Sequence, residues 1–176
     1  IFPYLHIDMN AGNTATVQSP FYTNFLRITN GTLNMGTNTI FLPAGPAGNG
    51  TVTITAGATL QTANTGTTNT NCIINDFLGN PPYQINLYGT LKLMGATPRI
   101  RIEQFNQFDG STIEYGAAGA QNFLQSSYPA LSEISNYRNL LLSGSGNKSP
   151  SVNFNVKEDI NINGAGGRMP KECYQI

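Results

Sequence analysis

Between Ser111 and Asn163, apolar side chains recur at every second residue in short runs. Leu140 and Leu142 form one run, Val152, Phe154 and Val156 another, and Ile160 with Ile162 a third. Glycine and serine stretches, Ser143 to Gly146 and Gly164 to Gly167, interrupt them. Alternation of this kind marks a strand with one buried face. Strands this short, following one another through tight corners with no helix between, point to a chain wound into stacked layers.

The same style extends upstream. Leu26 and Ile28, Leu33 and Met35, Ile40 and Leu42, Val52 and Ile54, Ile85 and Leu87, Leu91 and Leu93, and Ile100 and Ile102 are further pairs two apart. Glycines stand near the corners at Gly31, Gly57, Gly89, Gly116, Gly144 and Gly164, at intervals of 26, 32, 27, 28 and 20 residues. A period of this size signals a repeat architecture. Built of strands alone, it predicts an all-β, right-handed parallel β-helix, a solenoid of about six to seven irregular coils. With layers ~4.8 Å apart, such a column is roughly 30 Å tall. An antiparallel β-sandwich is the alternative. Residues 1–24 read as an irregular capping segment rich in aromatics (Phe2, Tyr4, Phe21, Tyr22), 25–164 as the solenoid, and 165–176 as a tail or the start of a next segment. The one stretch suited to a helical turn is Gln121 to Ser126. Pro43–Gly50 and Thr62–Asn71 read as loops available for recognition.

Composition agrees with stacking. Charged residues are 10% of the chain, with nine Lys and Arg against nine Asp and Glu. Like charges repeated every ~4.8 Å would repel, whereas Asn and Thr can hydrogen-bond from layer to layer. A balanced, sparse charge gives no field to steer the chain to nucleic acid. No apolar run approaches the ~20 residues that cross a bilayer as a helix, so membrane insertion is not expected. The chain opens IFPYLHIDMN without a basic leader, and we expect it to be a piece of a larger extracellular polypeptide. Cys72 and Cys173 allow one disulfide, and the sequence leaves open whether they pair.

Residues 109–163 resemble a repeat of very large secreted and cell-surface proteins of Bacteroidetes. The residues that carry the resemblance are Gly110 to Tyr115, Gly119 to Gln121, Tyr137, Asn139, Leu140, Leu142 to Gly146 and Lys148. The connector Leu124 to Ser135 is longer than that repeat's usual link. The resemblance covers about a third of the chain. It implies a β-helical segment of adhesin-like, type IX secretion cargo, located outside the cell or on its surface. It implies no catalytic residues. Implied partners are the rest of a larger parent chain, and surface glycans or other cell-surface proteins.

Any chemistry would have to come from the acids. Glu103, Asp109 and Glu114 are weak catalytic candidates, because on neighbouring coils they could meet on one face as a glycosidase pair. Arg99 and Arg101 nearby favour simple charge pairing instead. His6 with Asp8 lacks an identifiable nucleophile. No calcium-binding acidic run or clustered Cys and His is present, so no metal and no cofactor is expected. Gly144, Gly146 and Lys148 lack phosphate-loop spacing. Thr51, Thr53 and Thr55 form a short Thr-x-Thr array, explained by strand preference. The expectation is a structural or adhesive segment that is not an enzyme. A polysaccharide-binding or polysaccharide-degrading module is the alternative.

Overall fold

Buried and accessible positions alternate as the apolar pattern requires. In Thr51–Ile54 and Gln84–Leu87 the second and fourth residues are buried and the first and third half-buried. We analysed a computed structural model, which describes residues 2–42, 50–66, 73–75, 83–126 and 134–163. Among these residues the chain is all-β, with no helix. The strands are β1 (Phe2–Ile7), β2 (Thr14–Thr16), β3 (Phe21–Ile28), β4 (Gly31–Asn34), β5 (Ile40–Phe41), β6 (Thr51–Ile54), β7 (Ala58–Thr62), β8 (Ile74–Asn75), β9 (Gln84–Leu87) and β10 (Thr90–Leu93). They continue as β11 (Arg99–Ile100), β12 (Gln104–Gln107), β13 (Thr112–Tyr115), β14 (Gln121–Asn122), β15 (Gln125–Ser126), β16 (Asn136–Tyr137), β17 (Asn139–Ser143), β18 (Lys148–Ser149), β19 (Asn155–Val156) and β20 (Ile160–Asn163).

Every pair formed by these strands is parallel. One sheet runs β12-β9-β6-β3-β5-β8, with β1 also on β3. A second runs β2-β4-β7-β10-β13-β17-β20, in strict chain order. β3 serves two neighbours, Phe21 and Tyr22 pairing with β5 while Phe25 to Ile28 pair with β6. β5, β8, β11 and β15 form a third line, joined by the Ile73 N–H to Arg99 O and Arg101 N–H to Ile74 O bonds. The chain visits the three lines in turn, as β6, β7, β8 and again as β9, β10, β11. Parallel pairing throughout overturns the antiparallel sandwich, which needs neighbouring strands of opposite direction.

Side chains stack in files. Ala15, Leu33, Leu60, Leu91, Ile113, Leu140 and Ile160 stand in register across the second sheet. Leu5, Leu26, Val52, Ile85 and Phe105 do the same across the first. Leu33 through Leu140, and Leu26 through Ile85, are buried. Each such burial stabilises by about 1.5–3 kcal/mol relative to exposure. A slip of one residue would turn a whole file outward, so the files fix the register. Steps along the second-sheet file range from 18 to 31 residues. The variation lies between the paired strands, which explains an inexact sequence repeat over a regular ladder.

Some positions differ from the sequence reading. Gln121 to Ser126 form β14 and β15 instead of a helical turn, because the Gln121 amide is drawn into the interior and both strands find parallel partners. Residues 1–24 contain β1, β2 and the start of β3. Val152 is exposed while Phe154 is buried, so only part of that run faces the core. Ile160 and Ile162 prolong the files of Leu140 and Leu142 but are 45% and 48% exposed, with no described strand beyond β20. Thr62 closes β7, so the second expected loop begins after it. Residues 43–49 and 67–71 of the two expected loops, the stretch 164–176 and both cysteines lie outside the described residues.

Corner glycines serve two purposes. Gly57 has φ +82, where a side chain would be strained. Gly89 is required by close approach, since a Cβ there would lie 2.2 Å from Thr55 O and 2.3 Å from Ala58 O. We therefore expect Gly89→Ala to lower the unfolding free energy by more than about 2 kcal/mol in urea titration. Gly119→Ala, with open space around it, should cost under about 1 kcal/mol. Leu91→Ala should cost about 2–5 kcal/mol in the same measurement.

Candidate functional site

The three candidate acids lie along one stretch of chain. Glu103 is half-buried at the bend before β12, Asp109 sits in the turn after β12, and Glu114 faces outward from β13. They occupy successive segments of a single layer, not equivalent places on neighbouring layers. Glu114 receives Lys92 Nζ at 2.9 Å from β10 and the Ser143 hydroxyl at 2.6 Å from β17. It ties three strands together. Asp109 pairs with Arg138 Nη1 at 2.7 Å and is exposed. Arg138 also meets Glu158 at 3.7 Å, and Glu158 accepts from Asn139 Nδ2 at 2.8 Å and from the Gly110 N–H at 3.1 Å. These carboxylates are engaged by cations and donors of adjacent strands. His6 and Asp8 likewise reach across to the next strand, His6 to Thr29 at 2.5 Å and Asp8 to Asn30 at 3.0 Å. No cluster of three or more His, Cys, Asp or Glu able to hold a metal occurs among the described residues.

A groove of about 250 Å³ opens where backbone pairing lapses between β12 and β16. Gln107 causes it. Its position continues the inward file of Ile28, Ile54 and Leu87, where an aliphatic residue would close the layer. Its side-chain amide donates to Asn136 O at 2.5 Å and accepts from the Arg138 N–H at 3.3 Å. The side chain thus stands in for a peptide group opposite Tyr137. Phe105, Ile134 and Tyr137 floor the groove, and Arg138 and Lys157 stand at its rim. No carboxylate lines it among the described residues.

A polar clasp that the apolar pattern does not announce closes the corner beyond the second sheet. Gln121 Nε2 donates to Leu93 O at 2.9 Å and Gly95 O at 2.8 Å, while its Oε1 accepts from the Ala117 N–H at 3.2 Å. Lys148, in register with Gln121, donates from Nζ to Ala117 O at 2.8 Å and Ser145 O at 3.3 Å. Both side chains are buried. Asn64 and Asn38 do the same work lower down, donating to Thr37 O and Val17 O at 3.0 Å each. The Val17, Thr37, Gly95 and Ala117 carbonyls lie past strand ends, and an unpaired buried carbonyl is costly, so side chains of the next layer supply donors to them. The signal was present in the 27-residue separation of Gln121 from Lys148, close to the corner-glycine interval.

Inside, the Tyr137 hydroxyl donates to Ile134 O at 2.6 Å, and the Tyr115 hydroxyl accepts from the Leu124 N–H at 2.9 Å. The two hydroxyls meet at 2.9 Å, so Tyr115 is the donor between them. Phe123 stacks on Tyr115 with centroids 4.5 Å apart. The tyrosines of the resembled repeat are therefore an internal support.

Comparison with models of protein families, with curated proteins and with solved structures gave no match to the chain.

Burial pulls the Lys148 amine below its ordinary value of 10.5. The unfolded chain then holds this proton to higher pH than the folded one. The residue's contribution to stability must rise with pH between its lowered folded value and 10.5, and be lost as pH falls through that window. Unfolding free energies of the wild type and Lys148→Met, measured across the alkaline range, should diverge in favour of the wild type as pH rises. Glu114→Gln, at a partly exposed pair, should cost less than about 1 kcal/mol at neutral pH.

Proposed function

We propose that the chain is a right-handed parallel β-helix of six to seven irregular coils, serving as a stiff structural or adhesive segment of a larger bacterial surface protein. The observation that carries the reading is the second sheet. Its seven strands follow chain order, each parallel and in register with the next. A sheet so built grows by adding layers, and each layer shields the one before. Buried clasps and aliphatic files leave few points where one layer can open alone, which suits a segment that holds its shape outside the cell. The resemblance of residues 109–163 to Bacteroidetes surface repeats supports an extracellular or cell-surface place and type IX export. The resembled residues Gln121, Tyr137 and Lys148 are buried supports, as a scaffold repeat would require.

Two measurements test the proposal. Antibody raised against the chain should label intact cells of the encoding bacterium, and labelling only after lysis would contradict it. The purified chain should release no reducing ends from neutral or acidic polysaccharides. Hydrolysis that disappears in Glu114→Gln would replace the scaffold reading with an enzymatic one.

A further inference from the structure

The outward face of the first sheet carries two unbroken files. Tyr4, Phe25, Thr51, Gln84 and Gln104 stand in register in one, and His6, Arg27, Thr53, Asn86 and Asn106 in the other. Five strands at ~4.8 Å give each file a length of about 19 Å. At the β1 end the face is aromatic. Tyr4 is 56% exposed and Phe25 37%, with ring centroids 6.5 Å apart. Over β6, β9 and β12 it consists of amides and hydroxyls. Asn106 Nδ2 donates to Asn86 Oδ1 at 3.0 Å, and Gln84 Nε2 lies 3.4 Å from Thr51 Oγ1. These bonds leave the Asn86 amide nitrogen and the Asn106 amide oxygen without a partner among the described residues. At the border of the face, Tyr88 and Phe108 stack with centroids 4.0 Å apart, and Tyr88 is exposed.

We propose that this face binds an uncharged polysaccharide, laid across the strands from Tyr4 and Phe25 toward Asn86 and Asn106. The charge of the face selects the ligand. All six file positions on β6, β9 and β12 are neutral and Arg27 on β3 is the one Lys, Arg, Asp or Glu in either file, so a polyanion meets a single cation at the aromatic end and would shed its hydration over the other strands without return. A neutral polyhydroxyl chain finds donors and acceptors repeated at every layer, held rigid by the ladder beneath. Its sugar rings offer an apolar face to Tyr4 and Phe25, whose flat rings bind at low entropic cost. Tyr4 and Phe25 stand together on this face and leave aromatic surface open to a ligand. The inference rests on the stacked first sheet alone. Its failure would leave the scaffold reading standing.

Affinity electrophoresis through native gels containing hydroxyethyl cellulose, galactomannan or polygalacturonate tests it. Retardation is expected in at least one neutral polymer and not in polygalacturonate. Tyr4→Ala with Phe25→Ala should weaken that retardation about tenfold or more. Asn86→Asp, a substitution at an accessible site that adds charge, should weaken it too. Thermal melts of each variant, matched to the wild type, exclude misfolding as the cause. No retardation in either neutral polymer, retardation by polygalacturonate alone, or retardation unchanged in both variants would overturn the proposal. A dimer in sedimentation analysis that the same substitutions dissolve would assign the face to a second copy of the chain and overturn it as well.

Discussion

Parallel backbone pairing in register is the constraint on which everything else in this molecule depends. Each short strand makes too few contacts to persist alone. It becomes stable only because a strand of the same direction lies on either side and the side-chain files above and below coincide. Leu60, Leu91 and Ile113 can be buried together only while β7, β10 and β13 keep one register. The low charge follows from the same geometry, because a residue's nearest neighbours are its equivalents in the adjacent layers.

The corners are where such a ladder is weakest, and polar side chains hold them. Gln121 and Lys148 occupy one place in successive layers and solve one problem, the orphaned carbonyls of the layer below. The lysine solution carries an amine into the interior, with the neutral carbonyls of Ala117 and Ser145 as acceptors. Gln107 is the counter-example within the sheet. There an amide side chain replaces a backbone group, and a groove opens beside it.

Much of the architecture was legible from alternation. Leu140 and Leu142 or Ile85 and Leu87 announce strands, and their interval announces layers. Direction of pairing was not readable from the same signal, since a sandwich strand alternates in the same way. Nor could alternation find β14 and β15, because Gln121 looks like a surface residue until its carbonyl partners are known. Glu103, Asp109 and Glu114 drew attention as acids close in sequence. Lys92 and Ser143, which hold Glu114, and Arg138, which holds Asp109, come from other layers and are visible only once those layers are stacked. The outward files of the first sheet were hidden for the same reason: Tyr4, Phe25, Thr51, Gln84 and Gln104 are scattered along the sequence from the first strand to the twelfth.

Distances between paired spin labels on the outward threonine file of the second sheet test this ladder most directly. Thr14, Thr32, Thr59, Thr90 and Thr112 stand in register there. Backbone separations should grow by ~4.8 Å per layer, reaching about 19 Å between Thr14 and Thr112, whatever the number of residues between them. Separations that follow sequence distance, or that alternate between short and long along the file, would contradict the account.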